Sequence, residues 1–124
     1  MFKPSDYPMV CKWWESWGWP AIQLGDLPET GLIVSNGGVD IYAAFLYKTD
    51  SNICWFDWFV GNKEATKEQR AGGLEFLVEG GRALAETMGY KKLFSSVRAP
   101  SVMNALEKCG FSKEHSMTNF VGVV

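Results

Sequence analysis

The sequence predicts one mixed α/β domain over residues 1–124: six or seven mostly antiparallel strands, a central parallel splay and three helices. Three observations predict it. Asn36-Gly37-Gly38 joins two apolar runs, and Asn-Gly is the strongest short hairpin signal. Residues 53–60 are apolar except for Asp57, which suits a buried strand rich in large rings. That run leads through a polar turn into a segment with helical spacing and then a further apolar run at 92–97. A strand, helix and strand in that order favour one parallel pair within a mixed sheet.

Taken in order, Phe2-Lys3-Pro4 suits a short edge strand. Ser5 or Asp6 can cap a helix starting near Pro8, because proline suits the first helical turn, and Gly18 ends it. That helix carries Val10, Trp13, Trp14 and Trp17; these rings cannot all face one way, so some belong to the core and one or two are free to wall a ligand or contact a protein. Residues 31–35 and 39–47 read as strands, followed by the aromatic strand 53–60. Thr66 with Gln69 forms a capping-box pattern for one long helix through Leu74, Leu77, Val78, Gly81, Leu84 and Met88, which Gly89 stops. Gly80-Gly81 within it suits close packing on the sheet. Pro100 starts the last helix, ended at Cys109-Gly110, and residues 111–113 and 117–123 suit a closing hairpin.

Bulk properties exclude several function classes. A formal charge of −2 lacks the basic face a general nucleic-acid binder needs. No apolar run approaches the roughly 20 residues needed to cross a bilayer. Neither a secretion leader nor a paired-cysteine pattern is evident, so a cytoplasmic protein with reduced thiols is expected. The lone His115 and three scattered cysteines supply no metal site, and His115 suits a surface or structural role.

The junction after the aromatic strand is the candidate site. A strand feeding a helix start presents unpaired N–H groups and a positive dipole end to an anion. Gln69-Arg70-Ala71-Gly72-Gly73 stands there, and small residues let a phosphate approach the backbone. The same residues would also serve an ordinary capped helix packed on a sheet. Asp57, likewise, is either a general base or a hydrogen-bonded carboxylate on a strand edge.

The element order, with Phe59-Val60-Gly61-Asn62, Gln69-Arg70-Ala71-Gly72-Gly73 and Leu106-Glu107-Lys108-Cys109-Gly110-Phe111, resembles the GNAT superfamily of acyl-CoA-dependent N-acyltransferases. Trp13-Trp14, Gly18-Trp19-Pro20, Leu27-Pro28 with Gly31, and residues 47–51 carry a narrower likeness, to small GNAT-like proteins of tailed bacteriophages. The resemblance implies acetyl-CoA as cosubstrate and an amine of a small molecule or protein as acceptor. It implies that backbone groups of Phe59 and Val60 meet the pantetheine arm. The pyrophosphate would fall to Gln69, Arg70, Ala71, Gly72 and Gly73, with Lys67 and Arg70 adding charge. Asp57, its pKa raised by burial, would accept the proton of the amine. Leu74, Leu106 and Ala99 stand where the family often has a glycine or alanine, a tyrosine and an asparagine. Those differences support an alternative, a GNAT-like phage protein that binds a host protein without turnover. The sequence leaves the oligomeric state open, a homodimer included.

Overall fold

A computed structural model describes all 124 residues. Four strands form one sheet in the order β1 (Gly31–Asn36), β2 (Val39–Tyr47), β3 (Ile53–Gly61) and β4 (Lys92–Phe94). The first three are sequential and antiparallel, and β4 runs parallel to β3. Helix α1 (Tyr7–Ser16) covers one face. The one-turn α2 (Lys67–Arg70), α3 (Gly73–Thr87) and α4 (Pro100–Lys108) follow β3 and β4. No helix is long and apolar enough to cross a membrane.

Why these residues form these elements is visible locally. Gly37 and Gly38 take φ of 60° and 79°, which two successive residues of a tight hairpin turn require and side chains resist. The two faces of the sheet bury separate clusters. Ala44, Leu46, Cys54 and Phe56 pack under Leu77 and Ala85 of α3. Ala43, Phe45 and Val60 pack under Val10, Trp13 and Trp14 of α1. Close approach of α3 depends on glycine. A Cβ on Gly81 would stand 2.5 Å from the Phe56 ring, and one on Gly73 would stand 2.9 Å from Ile41 and Tyr42.

The strand count is four, and six or seven is corrected. Phe2 makes one backbone bond to the sheet, its N–H donating to the Gly31 carbonyl at 2.8 Å. Pro4 has no N–H to continue a ladder and opens a 3₁₀ turn instead. β4 ends at Phe94, not residue 97, because β3 parts from it there. Residues 111–123 form no hairpin. Three polar residues, Glu114 to Ser116, separate its two short halves, and a two-stranded hairpin alone is marginal in water.

The predicted long helix is also two helices. The capping box forms as expected: Gln69 N–H donates to Thr66 Oγ1 at 3.1 Å, and Thr66 N–H to Gln69 Oε1 at 2.8 Å. One turn later Ala71 goes extended and Gly72 adopts φ of 73°, so the chain restarts as α3 in a new direction.

Candidate active site

The site begins with a fault in β3. Asp57 stands opposite Phe45, but Val60 stands opposite Ala43, so β3 carries one residue more than β2 between those pairs. This bulge centres on Trp58, the one non-glycine residue with positive φ, at 61°. Its indole N–H donates to the Tyr47 hydroxyl at 2.8 Å, and that hydroxyl donates to the Asp26 carbonyl at 2.6 Å. The side chain thereby holds a backbone conformation that costs on the order of 1 kcal/mol or more.

At the same level β3 and β4 separate. Their pairing covers Ile53 to Trp55 only, which leaves β3 from Asp57 to Gly61 without a ladder neighbour on the β4 side. Two bonds span the start of the gap. Ser95 Oγ donates to the Phe56 carbonyl at 2.7 Å, and Ser96 N–H donates to Asp57 Oδ1 at 2.7 Å. Sequence reasoning missed both serines and Trp58. The available signal was a polar pair inside the apolar run 93–97.

Asp57 is half-buried beside the gap, on the face that carries Phe45 and α1. Burial pushes its pKa above the usual carboxylate range, and the Ser96 N–H opposes that shift in part. One carboxylate oxygen is engaged with Ser96, and the other accepts no hydrogen bond from the protein. Such a group can take a proton from a bound amine near neutral pH.

Beyond the gap lies the helix restart. Gly72 has open space where a Cβ would be, whereas Gly73 is packed on Tyr42, so of the two glycines Gly72 is the one a ligand can approach. No side chain caps α3, and its first backbone bond runs from Phe76 N–H to the Gly72 carbonyl. The N–H groups of the first turn are therefore free for an anion. Arg70 is half-buried, and its Nε is buried without a partner. A buried, charged donor left unpaired is costly, and a phosphate oxygen would relieve it. Lys67 and Ala71 are exposed at this end, and the Gln69 carbonyl accepts from Asn36 Nδ2 at 3.0 Å. Leu74 turns away, packing beside Val78, Val102 and Leu106.

Phe59 packs edge-on against Phe56 at 5.1 Å and reaches the α3–α4 cluster, while Val60 is buried under α1. Leu106 is core and Asn104 is exposed, so α4 offers no acid to this site. On the α1 side, Trp13 and Trp14 are buried; Trp17 and Trp19 stack at 6.0 Å and remain exposed. The Trp17 indole donates to the Gly61 carbonyl at 3.0 Å, and Lys63 lies over its ring. A polar cavity of about 330 Å³ opens there between α1 and the loop after β3, lined by Lys12, Asp40, Asn62, Lys63 and Glu64 among others.

No family model and no curated protein matches the sequence. Solved structures match the fold. TTHA1254 from Thermus thermophilus has a TM-score of 0.69 at 14% identity, over 99% of this chain and 94% of that one. Aminoglycoside acetyltransferase meta-AAC0020, from an uncultured soil metagenomic sample and complexed with sisomicin, has a TM-score of 0.67 at 10% identity, over 99% and 93%. Aminoglycoside N-acetyltransferase AAC(6')-Iy in complex with CoA has a TM-score of 0.54 at 13% identity, over 74% of this chain and 65% of that one. Identities this low speak for architecture alone. The chain shares the fold of these structures, two of which are acetyltransferases.

Proposed function

We propose that the protein is an acetyl-CoA-dependent N-acetyltransferase acting on an amine of a small molecule or protein. The observation that carries this reading is the uncapped α3 start behind the open Gly72, with the unpartnered Arg70 Nε beside it. In this reading the first-turn N–H groups of α3 and the Arg70 guanidinium hold the pyrophosphate, and Lys67 adds charge from solvent. Gln69 and Ala71 shape the approach, and Gly73 sets the helix against Tyr42. The free edge of β3 at Phe59 and Val60 offers backbone groups to the pantetheine arm. Acetyl-CoA would supply an acyl group activated as a thioester. Asp57 takes the proton that the acceptor amine must lose before it attacks, holding it at the oxygen that Ser96 leaves free.

A thermal-shift titration tests binding. Acetyl-CoA at a hundred times its dissociation constant should add about 2.7 kcal/mol of stability. An unchanged melting temperature at millimolar acetyl-CoA would sink the reading. Arg70→Met supplies a second check, with opposite signs in its two readouts. Without ligand the variant should match or exceed the parent in stability, since it removes an unpaired buried donor. Its affinity for CoA should fall by about 1.5–3 kcal/mol, the usual worth of a charge-assisted bond, measured by calorimetry.

The exposed Trp17–Trp19 stack favours a second reading, a phage-encoded protein that binds a host protein in the cytoplasm without turnover. Exposed tryptophans are preferred anchors in protein interfaces. A double Trp17→Ala/Trp19→Ala variant that keeps full acetyltransferase activity and loses no partner in pull-downs would remove it.

A further inference from the structure

Residues 20–29 link α1 to β1, and their Ala21, Ile22 and Leu27 pack on the cluster that α1 covers. Their regular structure is one 3₁₀ turn, Leu24–Asp26. Two hydrogen bonds join this stretch to the rest of the molecule, and both come from tyrosine hydroxyls. Tyr7 of α1 donates to the Ile22 carbonyl at 2.7 Å, and Tyr47 of β2 donates to the Asp26 carbonyl at 2.6 Å.

Tyr47 holds more than this segment. Its hydroxyl also accepts the Trp58 indole N–H at 2.8 Å, which occupies its donor and one acceptor position. Trp58 is 44% exposed, so packing alone does not fix its ring, and its φ of 61° is one that bulky side chains resist. Along β2, Tyr47 stands two residues from Phe45 and so on the same face, where Asp57 lies opposite Phe45. The hydroxyl is thus on the side of the sheet to which the carboxylate points, near enough for the charges of Asp57 and Asp26 to act on it. One oxygen ties together the connecting segment, the bulge and, one residue along, the candidate base. Without it the Trp58 ring loses the bond that holds it, and the 3₁₀ turn loses its tie to the sheet.

We propose that Tyr47 is a positioning residue for Asp57: through Trp58 it holds the bulge, and through Asp26 it holds residues 20–29 as a wall beside the carboxylate. This role rests on the reading of Asp57 as the base that takes the amine's proton. The hydroxyl proton of Tyr47 is committed to the Asp26 carbonyl, so its part is placement and not acid catalysis. The titratable groups brought together here are Asp57 of β3, Tyr47 of β2, Asp26 of the connecting segment, and Tyr7 with Cys11 of α1. From the far side of the gap comes the Ser96 N–H, which does not titrate.

Four proteins test this: the parent, Tyr47→Phe, Trp58→Phe and the double variant, each shown to be folded by circular dichroism. Carbon-13 NMR of the Asp57 carboxyl in the ligand-free chain, assigned with Asp57→Asn, reads its surroundings without any turnover. In Tyr47→Phe the titration midpoint should fall towards the ordinary carboxylate range, because a loosened wall admits water. Trp58→Phe should lower it too, and the double variant should move it no further than the larger single change. In kinetics, Tyr47→Phe should lower kcat by about 10–100-fold with CoA affinity unchanged. A merely structural hydroxyl would cost stability alone. A midpoint or a kcat that stays at the parental value therefore overturns the proposal, and so does simple additivity of the two substitutions. If the parent transfers no acyl group to any amine, the acetyltransferase reading falls, and the titration still decides whether Tyr47 positions Asp57.

Discussion

Asp57→Asn is expected to lower turnover by about 10²–10⁴-fold while leaving CoA affinity unchanged. Asparagine preserves the shape and can still accept from the Ser96 N–H, so the gap between β3 and β4 keeps its span. What it loses is the ability to take a proton. Steady-state kinetics and calorimetry on one preparation separate these effects, and equal losses in both would assign Asp57 a purely structural role. The pH dependence adds a signed check. Burial raises the Asp57 pKa, so the folded chain holds that proton more tightly than the unfolded chain does. Its contribution to stability therefore falls as pH climbs from the ordinary carboxylate range through the raised value. The variant should lack that decline and so gain on the parent towards neutral pH. In the parent, kcat/KM should rise over the same window as the base loses its proton.

Phe56→Ala is expected to cost about 3–5 kcal/mol, the usual range for an aromatic lost from a closed core. Phe56 is fully buried, packs edge-on to Phe59 at 5.1 Å and lies against Gly81 of α3. Gly81→Ala should also destabilise, by about 1–3 kcal/mol, because its methyl would enter the space of the Phe56 ring. The two changes should not add. With the ring gone the methyl has room, so Gly81→Ala in the Phe56→Ala background should cost little or nothing. Chemical denaturation of the four proteins of this cycle measures the coupling, and simple additivity would show that the contact does not govern α3 placement.

Much of the molecule was legible from local chemistry. The Asn36-Gly37-Gly38 turn, the Thr66–Gln69 capping box and the apolar stripe of α3 each depend on near neighbours, and they form where sequence predicts. The packing role of Gly81 was also readable, from a small residue on a buried face. What escaped depends on distant partners. Apolar spacing runs from Leu74 to Met88 regardless of how the helix starts, so it concealed the restart at Ala71-Gly72. Periodicity marks a segment as suitable for a strand without saying whether an edge is available, and residues 111–123 were overread for that reason. At the candidate site, Arg70 and Gly72 were legible as residue types. Their distinct surroundings were not: Gly72 is open, Gly73 is packed, and the Arg70 Nε is left without a partner. Leu74 stands in linear order where the family often has a small residue, yet it belongs to the α3–α4 core.

The extra residue at Trp58 has a consequence for how this chain tolerates change in length. Side chains alternate along a strand, so residues three apart should face opposite ways. Asp57 and Val60 nonetheless share the α1 face, opposite Phe45 and Ala43, because the bulge absorbs one step between them. The strand is thus written in two reading frames, with the join at residue 58. Removing that single residue would close the bulge, equalise the two strands between these pairs and leave Val60 opposite Ala43 on the α1 face. Replacing Trp58 leaves the frames in place. At this position a deletion should therefore preserve the register of β3 and cost mainly the bulge and the Trp58 bond to Tyr47.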